Sequence, residues 1–326
     1  EAVYAALRGR RFADGRIYTV AVGKAAWQMA KAASDVLKDR LERGVVVTKY
    51  GHVKGDLPKT DCYEAGHPVP DAQSVLGTQA VLRLVSGLRD TDTVLFLLSG
   101  GGSSLFEKPL IPLEELSDIT RQLLACGADI TEINTIRKRL SAVKGGRFAR
   151  LCEPAQVYSI VLSDILGDPL DMIASGPAYP DSSTCSQAVR TAEKYRLRLS
   201  SQAWELLRQE TPKELTNVET RITGSVRSLC RAAAKTAKAL GYEPFLLTDQ
   251  LDCEAREAGA FLAAIARSRQ SSEKSLAFIA GGETVVHLTG TGMGGRNQEL
   301  ALSGAAGIAG LKDTAIFSIG SDGTDG

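Results

Sequence analysis

Short apolar runs alternate with amphipathic stretches along most of this 326-residue chain, and this alternation restricts the possible folds more than any other sequence feature. Val94–Leu98 is a nearly continuous apolar run, which is typical of a central strand covered on both faces. Ala25–Leu37 has instead the apolar spacing of a helix that packs against a sheet. The alternation therefore predicts an α/β fold in which helices cover a mostly parallel sheet.

A polar segment, Glu210–Arg221, interrupts this alternation and contains Pro212. A chain of this length usually exceeds one hydrophobic core, so we place a domain boundary there, with residues 1–213 in the first domain and 214–326 in the second. The predicted strands are Ile17–Val22, Val45–Thr48, Cys62–Ala65, Val94–Leu98, Val157–Leu162, Pro244–Leu247, Leu276–Ala280, Thr284–Leu288 and Thr314–Ile319. The predicted helices are Ala25–Leu37, Asp71–Leu88, Leu113–Gly127, Thr131–Lys144, Val226–Leu240, Cys253–Arg267 and Asn297–Ala309.

Composition and net charge restrict the partners of the chain. The formal net charge is +1, from 39 basic and 38 acidic residues, which offers no field to attract nucleic acid or an anionic membrane. No apolar run approaches the roughly 18 residues that a membrane span needs. The six cysteines form no CxxC pair, which is typical of reduced thiols in a cytoplasmic protein. The chain begins at Glu1 without Met and stops in a Gly/Asp turn, so we expect residues to be missing at both ends.

Two glycine-containing turns follow predicted strands, at the sheet edge where α/β proteins bind ligands. In the first, Gly23 and Lys24 lead into a helix, which favours an anion, although a tight turn with a solvated lysine explains them equally well. In the second, three glycines are flanked by serines whose hydroxyls are able to donate to phosphate or carboxylate oxygens. A flexible surface loop is the alternative interpretation of this second turn. Its candidate residues are Ser99, Gly100, Gly101, Gly102, Ser103 and Ser104.

Charged residues cluster in two further segments of the first domain. Arg137 and Lys144 belong to a basic stretch that would either bind an anion or form a solvated helix face. Asp164 and Asp168 follow a predicted buried strand, where carboxylates suit Mg²⁺ or orient a reacting hydroxyl, although Asp168 also fits an ordinary turn. His67, one of three histidines, is predicted to pack or cap a loop rather than to take part in catalysis.

The second domain has its own glycine-rich loop, which opens a predicted helix. Gly294 and Gly295 precede Arg296, whose guanidinium is able to hold a carboxylate or a phosphate through two hydrogen bonds. Asn297 follows directly, and Glu283 lies in an earlier glycine turn. By residue chemistry alone, these loops, cations and carboxylates indicate an α/β enzyme that handles phosphate or carboxylate groups, and they specify the reaction no further.

Eight segments of the chain resemble, in the same order, the class II glycerate kinases, the glycerate 2-kinase family whose C-terminal part is called MOFRL. They are VGKAAWQMA, GHPVPD, LLSGGGSSL, INTIRKRLSAVKGG, LSDILGDPLDMIASGP, GGETVV, GMGGRNQEL and SDGTDG. The resemblance implies a Rossmann-like N-terminal domain, a smaller α/β C-terminal domain and an active site in the cleft between them. It also implies that ATP and Mg²⁺ serve the phosphorylation of D-glycerate to 2-phosphoglycerate by in-line transfer.

The resemblance also implies roles for individual residues. Lys24 and Arg296 match the charged active-site residues of the family, with Arg296 on the glycerate carboxylate, and Asp164 is our choice for the metal or the hydroxyl. Val226 stands where an asparagine is expected after Gly-Ser, which weakens a polar role for that loop.

Two other functions stay open at this point. One is an NAD(P)H-dependent hydroxypyruvate reductase, against which the missing G-x-G-x-x-G fingerprint counts. The other is a non-catalytic phosphosugar-binding module, for which the carboxylates would be superfluous. The sequence leaves the oligomeric state open, with a homodimer as one alternative.

Overall fold

The computed structural model describes residues 1–163, 170–290, 292–320 and 325. It divides into two compact units, Glu1–Gly224 and Ser225–Gly326, and each is described by itself below. In the described part of the chain, none of the helices has the length and apolar character needed to cross a bilayer.

The first unit is built on a six-stranded sheet whose strand order is β3-β2-β1-β4-β5-β6 and whose neighbouring strands all run parallel. The strands are β1 (Ile17–Val22), β2 (Leu41–Lys49), β3 (Thr60–Ala65), β4 (Thr93–Leu98), β5 (Gln156–Leu162) and β6 (Val218–Gly224). This is the order of a doubly wound Rossmann sheet, in which the direction of winding reverses between β1 and β4. The predicted α/β fold with a Rossmann-like parallel sheet is therefore confirmed.

Helices pack on both faces of this sheet because side chains of the central strands point alternately to the two sides. Phe96 and Leu98 of β4 belong to one buried apolar cluster, and Leu95 and Leu97 belong to a second, separate cluster. The α-helices of this unit are α1 (Ala2–Leu7), α2 (Ala26–Leu37), α3 (Ala72–Leu84), α4 (Gly102–Leu105), α5 (Leu113–Ala125), α6 (Ile130–Arg139), α7 (Arg147–Leu151), α8 (Cys185–Lys194) and α9 (Ser201–Leu207).

The sixth strand corrects the predicted domain boundary. β6 pairs with β5 from Val157 onwards, so residues 214–224 complete the sheet of the first unit instead of opening the second. The boundary between residues 213 and 214 was therefore placed too early. The error has a physical reason, since β6 is an edge strand whose side chains are half-buried or exposed, and its polar sequence resembles a linker.

The second unit contains a parallel pair of strands, β7 (Glu243–Leu251) and β8 (Leu276–Gly282). Its helices are α10 (Val226–Ala239), α11 (Ala255–Ser268) and α12 (Arg296–Gly307). Helix α10 packs against both strands, and α11 packs against α12. This smaller α/β unit agrees with the fold class predicted for the C-terminal part.

Two predicted strands are not formed in the structure, and one predicted helix ends earlier than expected. Residues 284–288 form only one isolated bridge, from Val285 to Glu254, and residues 314–319 are extended without strand pairing. Both strand predictions were wrong, because alternating apolar residues show which side packs inward but not whether a partner strand is present. The predicted helix Thr131–Lys144 begins one residue earlier and ends at Arg139.

Candidate active site

The loops that follow β1 and β4 meet at the point where the winding of the sheet reverses. The backbone N–H of Lys24 donates to the carbonyl of Gly100 at 2.8 Å, and the N–H of Ala25 donates to the Ser99 hydroxyl at 3.1 Å. Ligands of doubly wound folds bind at this position, beyond the carboxyl ends of the strands. The two turns that were predicted separately from the sequence therefore form one site.

Close approach between these loops explains two of their glycines. A Cβ on Gly23, whose φ is +117°, would lie 2.3 Å from the Ser99 hydroxyl oxygen. A Cβ on Gly101, whose φ is +84°, would lie 2.9 Å from the ring of His67 and 3.3 Å from Cγ of Lys24. Both positions therefore require glycine for space and for backbone conformation.

His67 lies beside Gly101 and Lys24, although the sequence analysis gave it only a packing role. Burial lowers the pKa of its imidazole, and the nearby cations Lys24 and Lys49 lower it further. A signal was present in the sequence, since His67 closely follows the end of β3 and thus lies on the same sheet edge as Lys24. His52 is close as well, with Nδ1 2.9 Å from the carbonyl of Lys24.

The three serine hydroxyls of the β4 loop hydrogen-bond within the protein. Ser99 donates to the carbonyl of Val22 at 3.3 Å, and Ser104 donates to the carbonyl of Gly101 at 3.2 Å. The Ser103 and Ser175 oxygens are 3.2 Å apart, and Ser175 donates to the amide oxygen of Asn134 at 2.8 Å. The hydroxyls of Ser103 and Ser175 are thus within hydrogen-bond distance of each other. In this arrangement the three hydroxyls support the shape of the loop, and their donation to phosphate stays a prediction.

The backbone of the β4 loop offers donors that the hydroxyls do not. Among the described residues, the N–H groups of Gly100 and Gly101 have no hydrogen-bond partner, and both residues are partly exposed. Successive N–H groups in a turn of this kind form a concavity that suits an anion.

The basic stretch is neither a solvated helix face nor a set of free cations. The Lys144 ammonium is fully buried and donates to the carbonyls of Ser103 at 2.7 Å and Phe106 at 2.8 Å. Its third contact is an ion pair with Glu107 at 3.4 Å. Burial lowers the pKa of Lys144 to about 8, although Glu107 opposes this shift. Two of the three N–H donors of Lys144 are thus taken by backbone carbonyls at a fully buried position, and its contact with phosphate stays a prediction.

Arg137 also contacts the β4 loop. Its Nη2 donates to the carbonyl of Ser103 at 3.0 Å, while the residue as a whole is only half-buried. Burial lowers the pKa of its guanidinium, against the pull of Glu107. Arg137 thus lies beside the β4 loop and holds one of its carbonyls.

The neighbouring cations of α6, Lys138 and Arg139, are buried against Asp181. Lys138 donates to the Asp181 carboxylate at 2.9 Å, and Arg139 lies 3.6 Å from it. Burial alone would raise the pKa of Asp181, but Thr211 and Lys138 outweigh it, so the pKa is lowered. These contacts are structural.

The predicted metal ligands Asp164 and Asp168 lie outside the described residues. Within the described ranges, the structure contains no cluster of three or more His, Cys, Asp or Glu side chains that would hold a metal ion. Asp171 of the same segment pairs with Lys138 at 3.3 Å and accepts from Ser182 at 2.6 Å.

In the second unit, the side chains around the start of α12 contact each other. Arg296 donates to the Glu283 carboxylate and to the carbonyl of Thr284 at 3.2 Å. Both oxygens of Asp325 accept from backbone N–H groups of the first turn, those of Asn297 at 3.0 Å and Gln298 at 2.8 Å. Burial alone would raise the pKa of Asp325, but these donors outweigh it and the pKa is lowered.

The anion-binding position at the start of α12 is thus taken by a carboxylate of the chain itself. The amide of Asn297 donates to Asp325 and accepts from Ser318, and its contact with a ligand stays a prediction. Gly295 precedes the helix in extended conformation, and a Cβ on Gly294 would meet only Gln298 at 3.7 Å.

Comparisons with known proteins now place this arrangement in a family. A family model described as a domain of unknown function (DUF4147) matches residues 4–208, and the MOFRL family model matches residues 276–326. A D-glycerate 2-kinase from Thermotoga maritima is 54% identical over 317 residues, which are 95% of this chain and 76% of that protein. The chain belongs to the glycerate kinase family.

Other members of the glycerate kinase family extend this result. The crystal structure of a glycerate kinase from Thermotoga maritima superposes with a TM-score of 0.90 at 52% identity, covering 95% of this chain and 76% of that one. A relative from Agrobacterium vitis with the provisional name hydroxypyruvate reductase is 39% identical over 95% of this chain and 83% of its own length. The family matches include the candidate residues of both units, with Lys24 in the first match and Arg296 in the second.

Proposed function

We propose that this protein is a kinase that transfers the terminal phosphoryl group of ATP to D-glycerate and forms 2-phosphoglycerate. The observation that carries the proposal is the 54% identity, over 95% of the chain, to a protein named D-glycerate 2-kinase. The meeting of the β1 and β4 loops at the reversal point of the sheet supports it, because nucleotides and their phosphates bind at this position in doubly wound folds.

In the first unit, Lys24 and the β4 loop would hold the phosphates. Lys24 supplies a positive charge beside Gly101, and the N–H groups of Gly100 and Gly101 supply neutral donors. The Arg137 guanidinium, which donates to the carbonyl of Ser103, adds a second cation at the same loop. Phosphoryl transfer requires mainly such positioning and charge neutralisation, with little covalent help from the protein.

In the second unit, Arg296 is assigned to the carboxylate of glycerate. Glu283 holds one side of its guanidinium, so that the remaining N–H donors keep a fixed direction in which a carboxylate would accept two hydrogen bonds. Gly294 and Gly295 directly precede Arg296 and add no side chain beside it.

The proposal includes ATP as the phosphoryl donor and Mg²⁺ as the cation that accompanies it. A divalent cation bound to ATP neutralises part of the phosphate charge, and Asp164 and Asp168 remain its ligands as predicted from the sequence. We also propose that the protein works in the cytoplasm; a homodimer stays a prediction that sedimentation velocity would test.

A hydroxypyruvate reductase is the second candidate, and the name of the Agrobacterium vitis relative is the observation in its favour. It acts on the same three-carbon skeleton, so that Arg296 would bind the substrate carboxylate in either reaction. The turn after β1 has one glycine, Gly23, where a dinucleotide fingerprint has three, and this favours the kinase.

One experiment separates the two candidates. The protein is incubated with D-glycerate and MgATP in the absence of a nicotinamide, ADP release is measured, and the phosphoglycerate isomer is identified by ³¹P NMR. ATP alone and hydroxypyruvate with NADH serve as parallel reactions. We expect glycerate-dependent ADP and a 2-phosphoglycerate signal; a 3-phosphoglycerate signal would correct the regiochemistry, and NADH oxidation without ADP release would favour the reductase.

A further inference from the structure

Lys144 and Glu107 form a buried ion pair directly below the β4 loop. Both side chains are inaccessible to solvent, and their charged atoms are 3.4 Å apart. In the described part of the chain, neither carboxylate oxygen of Glu107 has a hydrogen-bond partner. A buried pair with so few hydrogen bonds is weak evidence for stability, because desolvation opposes the attraction between the charges. Its presence at this place therefore needs another explanation.

The ammonium of Lys144 contacts two backbone carbonyls, one within the short helix α4 that follows the glycines of the β4 loop and one directly after that helix. It donates to the carbonyl of Ser103 at 2.7 Å and to that of Phe106 at 2.8 Å. Arg137 donates to the same Ser103 carbonyl at 3.0 Å. One buried lysine thus fixes the backbone that follows Gly101 and Gly102, and it shares its anchor point with the half-buried arginine.

We infer that Lys144 is a positioning residue of the kinase reaction, which holds Ser103 and Arg137 so that the β4 loop keeps the geometry needed for the phosphates. Glu107 supplies the countercharge that allows a lysine to remain at this depth. The inference rests on the proposed function, since it specifies how the site of that reaction is held together. In this role Lys144 itself touches no ligand.

The test compares two variants that both lack the buried carboxylate. Glu107→Gln retains the lysine, whereas Glu107→Gln combined with Lys144→Met removes it without leaving an unpaired charge. Hydrogen exchange is followed by mass spectrometry in peptides that contain residues 100–106, and the KM for ATP and kcat are measured. Arg139→Met is the matched control, because Arg139 is equally buried but contacts Ser183 and Asp181 instead of the β4 loop.

We expect the double variant to exchange at least about 10-fold faster than Glu107→Gln in residues 100–106 only, and to raise the KM for ATP about 10-fold. Arg139→Met should lower the stability of the protein but leave the exchange of residues 100–106 and the KM for ATP unchanged. The inference would be overturned if hydrogen exchange in residues 100–106 were unchanged, or if it became faster throughout the unit. It would also be overturned if exchange became faster in residues 100–106 while the KM for ATP stayed the same. If the double variant does not fold, Lys144→Gln in the Glu107→Gln background carries the same expectation.

The exchange measurement does not depend on the reaction. If the wild-type protein releases no ADP with glycerate, the proposed function fails, while the exchange of residues 100–106 still decides whether Lys144 holds the loop. If the wild type turns over normally but the loop exchanges at the same rate in both variants, the proposed kinase function stands and the positioning role of Lys144 is rejected.

Discussion

At the scale of single residues, Lys24 and Arg296 occupy similar places in the two units. Each follows a glycine and stands at the beginning of a helix, Lys24 shortly before α2 and Arg296 as the first residue of α12. Lys24 is half-buried, and the side chain of Arg296 is 47% exposed. Neither contributes to an apolar core, so replacing either should affect the reaction more than the stability of the protein.

We predict that Lys24→Ala and Arg296→Ala each lower kcat/KM for D-glycerate phosphorylation about 10²- to 10³-fold, the usual loss when one preorganised donor is removed. Steady-state kinetics and thermal unfolding would be measured together. The matched control is Lys31→Ala in α2, because Lys31 forms only an exposed ion pair with Asp35, at 2.9 Å. Near-normal activity of both variants would contradict the site assignment.

The site could be predicted from the sequence only in part, because the sequence does not show how deeply each polar side chain is buried. Glycines that follow strands located the β1 and β4 loops, and the structure joins them through Lys24 and Gly100. The contacts of Ser99, Ser104 and Lys144 with backbone carbonyls were not predicted, because a sequence gives the chemistry of a side chain but not the carbonyls around it. The position of His67 beside Lys24 and Gly101 was not predicted, because these neighbours are distant in the chain.

At the scale of elements, the strands with continuous apolar sequence were the easiest to predict. Ile17–Val22 agrees with β1 residue for residue, because a strand buried on both faces has mostly apolar side chains. The edge strand β6 was missed, and residues 314–319 were wrongly taken for a strand. In both cases the outcome depends on pairing with distant residues, which the local pattern does not contain.

One contact between elements is tight enough to test. A Cβ on Gly102, at the start of α4, would lie 2.6 Å from Cβ of Ala174. Ala174 and Ser175 both have positive φ, at +51° and +63°, and Ser175 hydrogen-bonds to the Ser103 hydroxyl. The segment is therefore held in an unfavourable backbone conformation against the β4 loop.

We predict that Gly102→Ala destabilises the first unit by about 1–3 kcal/mol through overpacking, and lowers kcat by moving the loop. Ala174→Gly alone should retain activity, because glycine adopts a positive φ without strain. The double variant Gly102→Ala with Ala174→Gly should recover most of the loss, since the colliding methyl group is gone. Denaturant unfolding and steady-state kinetics measure both effects; equal defects in the single and double variants would show that Ala174 is not the obstacle.

At the scale of the whole molecule, the boundary of the first unit decides which residues form a complete sheet. Asn217, just before β6, donates to the carbonyls of Ala149 at 2.9 Å and Ala155 at 3.1 Å. Thr220 of β6 accepts from the Tyr179 hydroxyl at 2.8 Å. A unit that ended at residue 213 would lose these contacts and expose the edge of β5, whose side chains are buried.

We predict that a fragment of residues 1–224 unfolds cooperatively, while a fragment of residues 1–213 is less stable by about 3 kcal/mol or more, roughly 6–12 °C in Tm. The loss follows from the missing strand hydrogen bonds and from the apolar surface that β6 covers. Circular dichroism melts and light scattering would compare the two fragments, and Asn217→Ala in the whole chain would test the same contacts without truncation. Equal Tm values for the two fragments would show that β6 contributes little to the sheet, and the boundary would return to the polar segment where the sequence first suggested it.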